Sequence, residues 1–251
     1  MKKDKIILIT ILVIIWQILS WMKVFPPYKL PSPVEVVAGF SDLLLLGTPP
    51  GYLLHNHALY SIYRVAIGYG LACLLSIPLG LLMGWSVRLH NLVSTIVDVV
   101  RPIPPLAWIP IAILWFGIGI KSAAFIIFLG AFPPILLSTI SGVRSINPRL
   151  IEAAQTLHAK EKDIFFKILL PGSVPSIFTG MRIGIGIAWM TLVAAEFTGV
   201  KEGYGLGYMI MTSRDLQRPN EIIAGMLVIG FIGLIIDKVI RFAELEIVKW
   251  N

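Results

Sequence analysis

Residues 152–171 read Glu152-Ala153-Ala154-Gln155-Thr156-Leu157-His158, then Ala159-Lys160-Glu161-Lys162-Asp163, then Ile164-Phe165-Phe166-Lys167-Ile168-Leu169-Leu170-Pro171. The stretch is a charged, helix-prone island between long apolar runs. Just upstream, Asn147-Pro148 has the form of a helix cap followed by proline at the first helical position. Leu150, Ile151, Ala154 and Leu157 then recur at helical spacing. Lys160–Asp163 interrupts the pattern. Ile164, Phe165, Ile168 and Leu169 predict a second short helix, which Pro171 is expected to end. Two short helices with apolar faces are too hydrophobic for a free loop. They must press on the ends of neighbouring helices, on a partner, or on both.

The surrounding chain sets the class. Of 251 residues, 57% are hydrophobic and 14% charged, against about 25% charged in average soluble domains. The mean hydropathy is +0.84. The apolar residues come in runs of about 20, enough to cross a hydrocarbon core of about 30 Å. Alternating segments of about 10 residues, the mark of a membrane barrel, do not occur. The sequence therefore predicts an all-α membrane protein in the lipid bilayer, a single domain over residues 1–251, with the island (147–171) as its one sizeable polar segment. The net charge of +7 reads as basic flanks of membrane spans, and no nucleic-acid partner is expected. Cys73 is the one cysteine, so neither an intrachain disulfide nor a cysteine metal cluster can form.

Six spans fit: Ile6–Met22, Tyr60–Trp85, Leu92–Phe116, Ser122–Val143, Ser176–Thr198 and Ile222–Ile240. The first is read as a retained span, since Lys23-Val24-Phe25-Pro26-Pro27 follows it in place of a small-residue cleavage site. With the N-terminus inside, twelve lysines and arginines fall in cytoplasmic segments and seven in external ones, Arg101 and Arg182 being set aside. This bias predicts both termini and the island in the cytoplasm. Pro31-Ser32-Pro33 opens an amphipathic segment, Val34–Leu46, expected either on the outer surface or as a packing helix.

The third span carries Arg101-Pro102-Ile103-Pro104-Pro105, with Pro110 beyond. Prolines remove backbone donors, and irregular backbone at membrane depth survives only where it is buried or lines a cavity. Either a kinked packing helix or a border of a translocation route fits. Asp98 and Arg101 lie three apart and are expected to pair on one helix face. Alternatively, Arg101 lines a route for an anion. Glu196, near the end of the fifth span, suits either a gate or an interface. Arg182 is expected to snorkel. Gly203-Tyr204-Gly205 lacks the residues of an ion filter, and His55-Asn56-His57 has no third ligand, so no metal site is predicted. Gly80/Gly84 and Gly180/Gly184 predict close helix packing. Trp16, Trp21, Trp85 and Trp250 suit interfacial anchoring.

Glu152-Ala153-Ala154, followed by position 158 and then by Ile168-x-Leu170-Pro171, resembles the EAA motif of ATP-binding cassette (ABC) importer permeases. Arg101–Pro110, Leu114-Trp115-Phe116-Gly117, Leu30-Pro31-Ser32-Pro33 and Ala194-Ala195-Glu196 resemble its nitrate/sulfonate/taurine/bicarbonate branch. The likeness covers nearly the whole chain. One position departs: the family has glycine where this chain has His158. A left-handed residue closes a helix there, at a cost of order 1 kcal/mol for histidine.

The resemblance implies a type I ABC importer (MetI-like) permease fold with about six transmembrane helices, in a prokaryotic inner membrane. It implies that Glu152, Ala153, Ala154, Leu157, His158, Ala159, Ile168, Leu170 and Pro171 form a coupling segment seated on a cytoplasmic ABC ATPase subunit. It further implies an extracytoplasmic substrate-binding protein and a second permease subunit, with a homodimer expected. Asp98, Arg101, Pro102, Pro104, Pro105 and Glu196 are the candidates for the translocation pathway of a small anion such as nitrate, sulfonate, taurine or bicarbonate. The chain has no G-x-x-x-x-G-K-[ST] phosphate loop of its own, Gly119-Ile120-Lys121-Ser122 lacking the Gly-Lys pair. No cofactor is therefore expected on this chain, and ATP and magnesium would belong to the partner. Two rivals remain: an ion-coupled secondary transporter, and an ABC permease for an organic solute such as a thiamine precursor. Secondary transporters carry broken spans in corresponding halves, whereas here the breaks concentrate in one. A membrane-embedded enzyme would need converging nucleophile, base or metal ligands, and none converge.

Overall fold

The computed structural model describes residues 2–26, 28–49, 51–197 and 204–248. Its elements are all helical: α1 Lys2–Trp21, α2 Pro33–Leu45, α3 Leu54–Trp85, α4 Val87–Val100, α5 Ile109–Phe116, α6 Ile120–Arg144, α7 Pro148–Thr156, α8 Glu161–Ile164, α9 Leu170–Phe197, α10 Leu206–Asp215 and α11 Pro219–Ile247. A 3-10 turn at Pro105–Trp108 leads into α5, and a π-helical turn at Phe165–Leu169 leads into α9. Among the described residues the single β-type pairing is an isolated bridge between Thr48 and Tyr52. The last residue of the expected fifth span and Trp250 lie outside the described residues.

By length and composition, four helical stretches are fit to cross a membrane: α3, α6, the continuous run Glu161–Phe197, and α11. The expected third span differs from a straight helix. It is a pair, Val87–Val100 and Pro105–Phe116, bent by 81°. The proline run explains the break. Pro102 and Pro104 cannot donate to a helix, and Pro105 and Pro110 each sit where a new turn begins, the position proline tolerates. The expected first span is helical, but its apolar part, Ile7–Trp21, is shorter than the others. At about 1.5 Å per residue it falls short of a core of about 30 Å.

The chain forms two compact units. The larger comprises residues 63–195 and 233–251. Its centre is α6, where Ile126, Ile127, Ala131, Ile135 and Leu136 are almost wholly buried. Both glycine pairs face this helix. A Cβ on Gly80 or Gly84 would come within 2.7 Å of Thr139 Cβ or 2.5 Å of Val143 Cβ, and one on Gly180 within 2.6 Å of Ser138 Cβ. Helix backbones thus approach α6 from two sides at distances only glycine allows. Arg182 on α9 does not snorkel free. It bridges to Asp237 (3.5 Å) and Glu244 (3.6 Å), two turns apart on α11. These opposite charges lie within reach and hold the guanidinium at the helix–helix contact.

The smaller unit comprises residues 1–62 and 196–232. Its α2 is fixed at the start by a capping box: Ser32 accepts from the Glu35 amide while the Glu35 carboxylate accepts from the Ser32 amide. Pro33 opens the helix. The Trp16 indole donates to the Pro31 carbonyl at 3.0 Å, so this tryptophan anchors a turn. Val36, Gly39 and Leu43 are buried, while Val34 and Val37, though apolar, are exposed.

Candidate functional site

The island begins as its sequence predicts. Asn147 caps α7, its side chain accepting from the Arg149 amide at 3.0 Å, and Pro148 is the first helical residue. The helix ends in a Schellman turn. The Ala159 amide donates to the Ala154 carbonyl at 3.0 Å and the His158 amide to the Gln155 carbonyl at 2.9 Å. His158 sits at φ 55°, in the left-handed region. The position where the EAA motif carries glycine therefore has a backbone that favours glycine, and histidine occupies it with strain. Gly205 also adopts positive φ, but in the other unit.

The second half of the island departs from expectation at Pro171. No helix ends there. Instead α8 runs through the π turn into α9, giving one helical stretch from Glu161 to Phe197. The Leu170 amide donates to the Phe165 carbonyl, five residues back. That slip of one residue lets the proline, which has no N–H and clashes with a regular i−4 carbonyl, stand in the first turn of α9.

The island has an inner and an outer face. Ile151, Ala154, Ala159, Phe165 and Leu170 pack around a buried cluster of Leu81, Val143, Ile164, Leu169 and Ile177. Ala154, Ala159 and Leu170 thus face the protein's own core. Glu152, Ala153, Leu157 and His158 are exposed, Leu157 at 82% and Leu150 beside it at 56%. Leu150, Lys167, Ile168, Pro171 and Gly172 line a recess of about 410 Å³ between α7 and the π turn. The Lys167 ammonium lies 2.7 Å from the Asp163 carboxylate, one turn earlier.

The six pathway candidates do not form one group. Arg101 and Pro105 line a cavity of about 480 Å³ together with Trp108 from the 3-10 turn, Phe128 and Phe132 from α6 and Ile187 from α9. Asp98, Pro102 and Pro104 are exposed and lie outside its lining. The expected Asp98–Arg101 pair is not made among the described residues. Arg101 still has helical backbone at the end of α4, its amide donating to the Val97 carbonyl, so the pair fails at the side chains, both residues being exposed.

Glu196 belongs to the smaller unit, and its side chain is fully buried. Its carboxylate accepts from the Ser61 hydroxyl (2.9 and 3.0 Å) and from the Gly207 amide at 2.9 Å. Ser61 in turn accepts from the Leu206 amide at 2.9 Å. A Cβ on Gly205 would fall 2.6 Å from the Glu196 carboxyl carbon. His57 joins the same knot: Nδ1 accepts from the Gly205 amide at 3.0 Å and Nε2 pairs with the Thr48 hydroxyl at 2.8 Å. Tyr204 stacks on Tyr60 with centroids 4.6 Å apart. Tyr204 and Gly205 of the ion-filter echo and His57 of the metal echo are therefore partners in one buried polar knot that fixes the start of α10. Sequence separations of 135 and more hide these contacts from any local pattern.

The profile of the family described as "Binding-protein-dependent transport system inner membrane component" matches residues 76–243, more than half of the chain. An annotated relative in Methanocaldococcus jannaschii, named provisionally as an ABC transporter permease protein, is 45% identical over 98% of this chain and 91% of its own length. The taurine transport system permease protein of Escherichia coli is 32% identical over 97% of this chain and 88% of its own. The nitrate import permease protein of Synechocystis is 36% identical over 94% of this chain and 86% of its own. Among solved structures, the inward-facing MetNI methionine ABC transporter contains a chain that superposes with a TM-score of 0.63 at 24% identity. The match covers 78% of this chain and 94% of that one, a likeness of fold. With its helices, its EAA segment and its full-length relatives in agreement, the chain belongs to the inner-membrane permease components of binding-protein-dependent ABC importers.

Proposed function

We propose that this chain forms the membrane pathway of an ATP-driven importer for a small anion of the sulfonate, taurine or nitrate class, handed over outside by a binding protein. The observation that carries the coupling role is the two-faced island. Its inner face is locked on a buried cluster, while its outer face presents Leu150, Glu152, Ala153 and Leu157 to a partner. An apolar helix face flanked by a carboxylate is the form taken by helices that lie in a partner's groove. The partner is a cytoplasmic ABC ATPase, which brings ATP and magnesium. Two copies of the chain give each ATPase of a pair its own seat. The excess of lysine and arginine on one side supports cytoplasmic termini and a cytoplasmic island. The names of the taurine and nitrate relatives support the substrate class.

The test is capture of the ABC ATPase by the purified chain, wild type against Leu157→Glu. Leu157 is 82% exposed, so the substitution leaves the fold untouched. Loss of capture at an unchanged melting temperature is expected. Full capture by the variant, or uptake driven by an ion gradient without any ATPase, would overturn the reading.

A further inference from the structure

Three consecutive amides at the start of α10 each end on a side chain from another helix. Gly205 donates to His57 Nδ1 (3.0 Å), Leu206 to the Ser61 hydroxyl (2.9 Å) and Gly207 to the Glu196 carboxylate (2.9 Å). These are donors that a helix start leaves without a partner of its own. A serine hydroxyl accepts at any pH, and a carboxyl group keeps an acceptor oxygen even when protonated. His57 differs. A ring nitrogen that accepts from an amide carries no proton, so the single proton of the neutral ring sits on Nε2. From there it is donated to the Thr48 hydroxyl at 2.8 Å, and Thr48 donates on to the Tyr52 carbonyl at 3.4 Å. The donors thus run one way, from Gly205 through His57 and Thr48 to Tyr52. A second ring proton would set N–H against N–H at Gly205.

We propose that His57 is an acid-sensitive latch, its neutral ring holding the start of α10 and its protonation releasing it. The hold is complete while Nδ1 is bare and is lost as the pH falls. His57 is fully buried in the first turn of α3, ahead of the span expected to begin at Tyr60. Around the ring stand Tyr52 and Tyr204, with centroids at 6.3 and 6.0 Å, and Tyr60 stacks on Tyr204. Behind Gly205 lies the Glu196 carboxyl carbon, 2.6 Å from where a Cβ would stand. Along α3 the other ionisable side chains nearby are exposed His55 and buried Arg64, two turns on. Glu196 is the carboxylate of this group, and a carboxylate close by lets a buried ring become charged at all. The latch adds regulation to the transport reading. Glu196 lies at the far end of the helical run that starts in the island. With the island in the cytoplasm, the acid sensed is therefore external.

The experiment uses the full chain in neutral-lipid nanodiscs, where neither orientation nor the ATPase enters. Hydrogen exchange across α10 is followed from about pH 8 to about pH 5, each rate divided by the intrinsic rate at that pH. Wild-type protection should fall about tenfold or more toward the acid end, as a buried amide loses its acceptor. His57→Gln supplies an acceptor oxygen that takes no proton, and its protection should stay level. His57→Leu supplies none and should be poorly protected throughout. Level protection in the wild type, or the same acid fall in His57→Gln, overturns the latch. A second measurement does not depend on those variants. With His55→Gln, His90→Gln and His158→Gln combined, His57 is the one left of four histidines. Its isotope-labelled ring nitrogens should show the Nε2–H form at about pH 8 and gain a second proton where wild-type protection falls. A ring that stays neutral to about pH 5, or carries its proton on Nδ1, equally overturns it.

Discussion

His158 offers a sharp test because its backbone conflicts with its side chain. At φ 55° a residue with a Cβ costs roughly 1–2 kcal/mol over glycine. His158→Gly removes that strain and keeps both Schellman bonds, which use backbone atoms only. Glycine also frees the unfolded chain, at about 0.5–1 kcal/mol. The net expectation is a gain between about zero and 1.5 kcal/mol for the joint between α7 and α8. His158→Val moves the other way. A β-branched residue is a stronger outlier at positive φ, and strain of this kind costs about 1–3 kcal/mol. Since about 1.4 kcal/mol is a factor of ten in population, Val should leave the joint disordered several times more often than His. The assay is the ratio of substrate taken up to ATP hydrolysed by the assembled transporter in proteoliposomes, with the melting temperature of the chain alongside. Glycine should hold or raise the ratio and valine should lower it. A glycine variant that loses coupling, or a valine variant equal to wild type, refutes the argument that this joint works through its backbone shape.

Two further outcomes follow from the buried groups. Glu196→Ala strips the acceptor from the Ser61 hydroxyl and the Gly207 amide, at roughly 1–3 kcal/mol for each donor left unsatisfied. Thermal unfolding in nanodiscs should show a loss of about 3 kcal/mol, with Glu196→Gln costing less because one acceptor oxygen remains. An alanine variant that melts with wild type would mean the knot bears no load. Pro171→Ala supplies the missing N–H and removes the ring, so residues 165–171 can close as regular helix. Hydrogen exchange of the peptide across this turn should slow, and unchanged exchange would show that something other than the proline holds the π turn.

Local signals carried the reading where local forces decide. Asn147 and Pro148 announced the start of α7, and the glycine-shaped position at His158 announced its end, because caps depend on a few consecutive residues. The paired glycines pointed to close packing for the same reason. Pro171 misled because a proline normally stops a helix, and only a register slip upstream lets one continue. Asp98 and Arg101 misled because helical spacing brings two residues to one face without making their exposed side chains meet. Glu196 was visible as an isolated carboxylate, but its partner Ser61 lies 135 residues away and Gly207 on the next helix, and neither shares a periodicity with it. The capping box of Ser32 and Glu35 was legible and went unread, being a three-residue spacing next to a proline pair.

The uninterrupted helix from Glu161 to Phe197 also fixes a height. At about 1.5 Å per residue its 37 residues run about 55 Å, about 25 Å more than a hydrocarbon core. Its Glu161 end is the charged one, with Glu161, Lys162, Asp163 and Lys167 among its first seven residues. A push on that end would reach the buried segment of the run without passing through a loop.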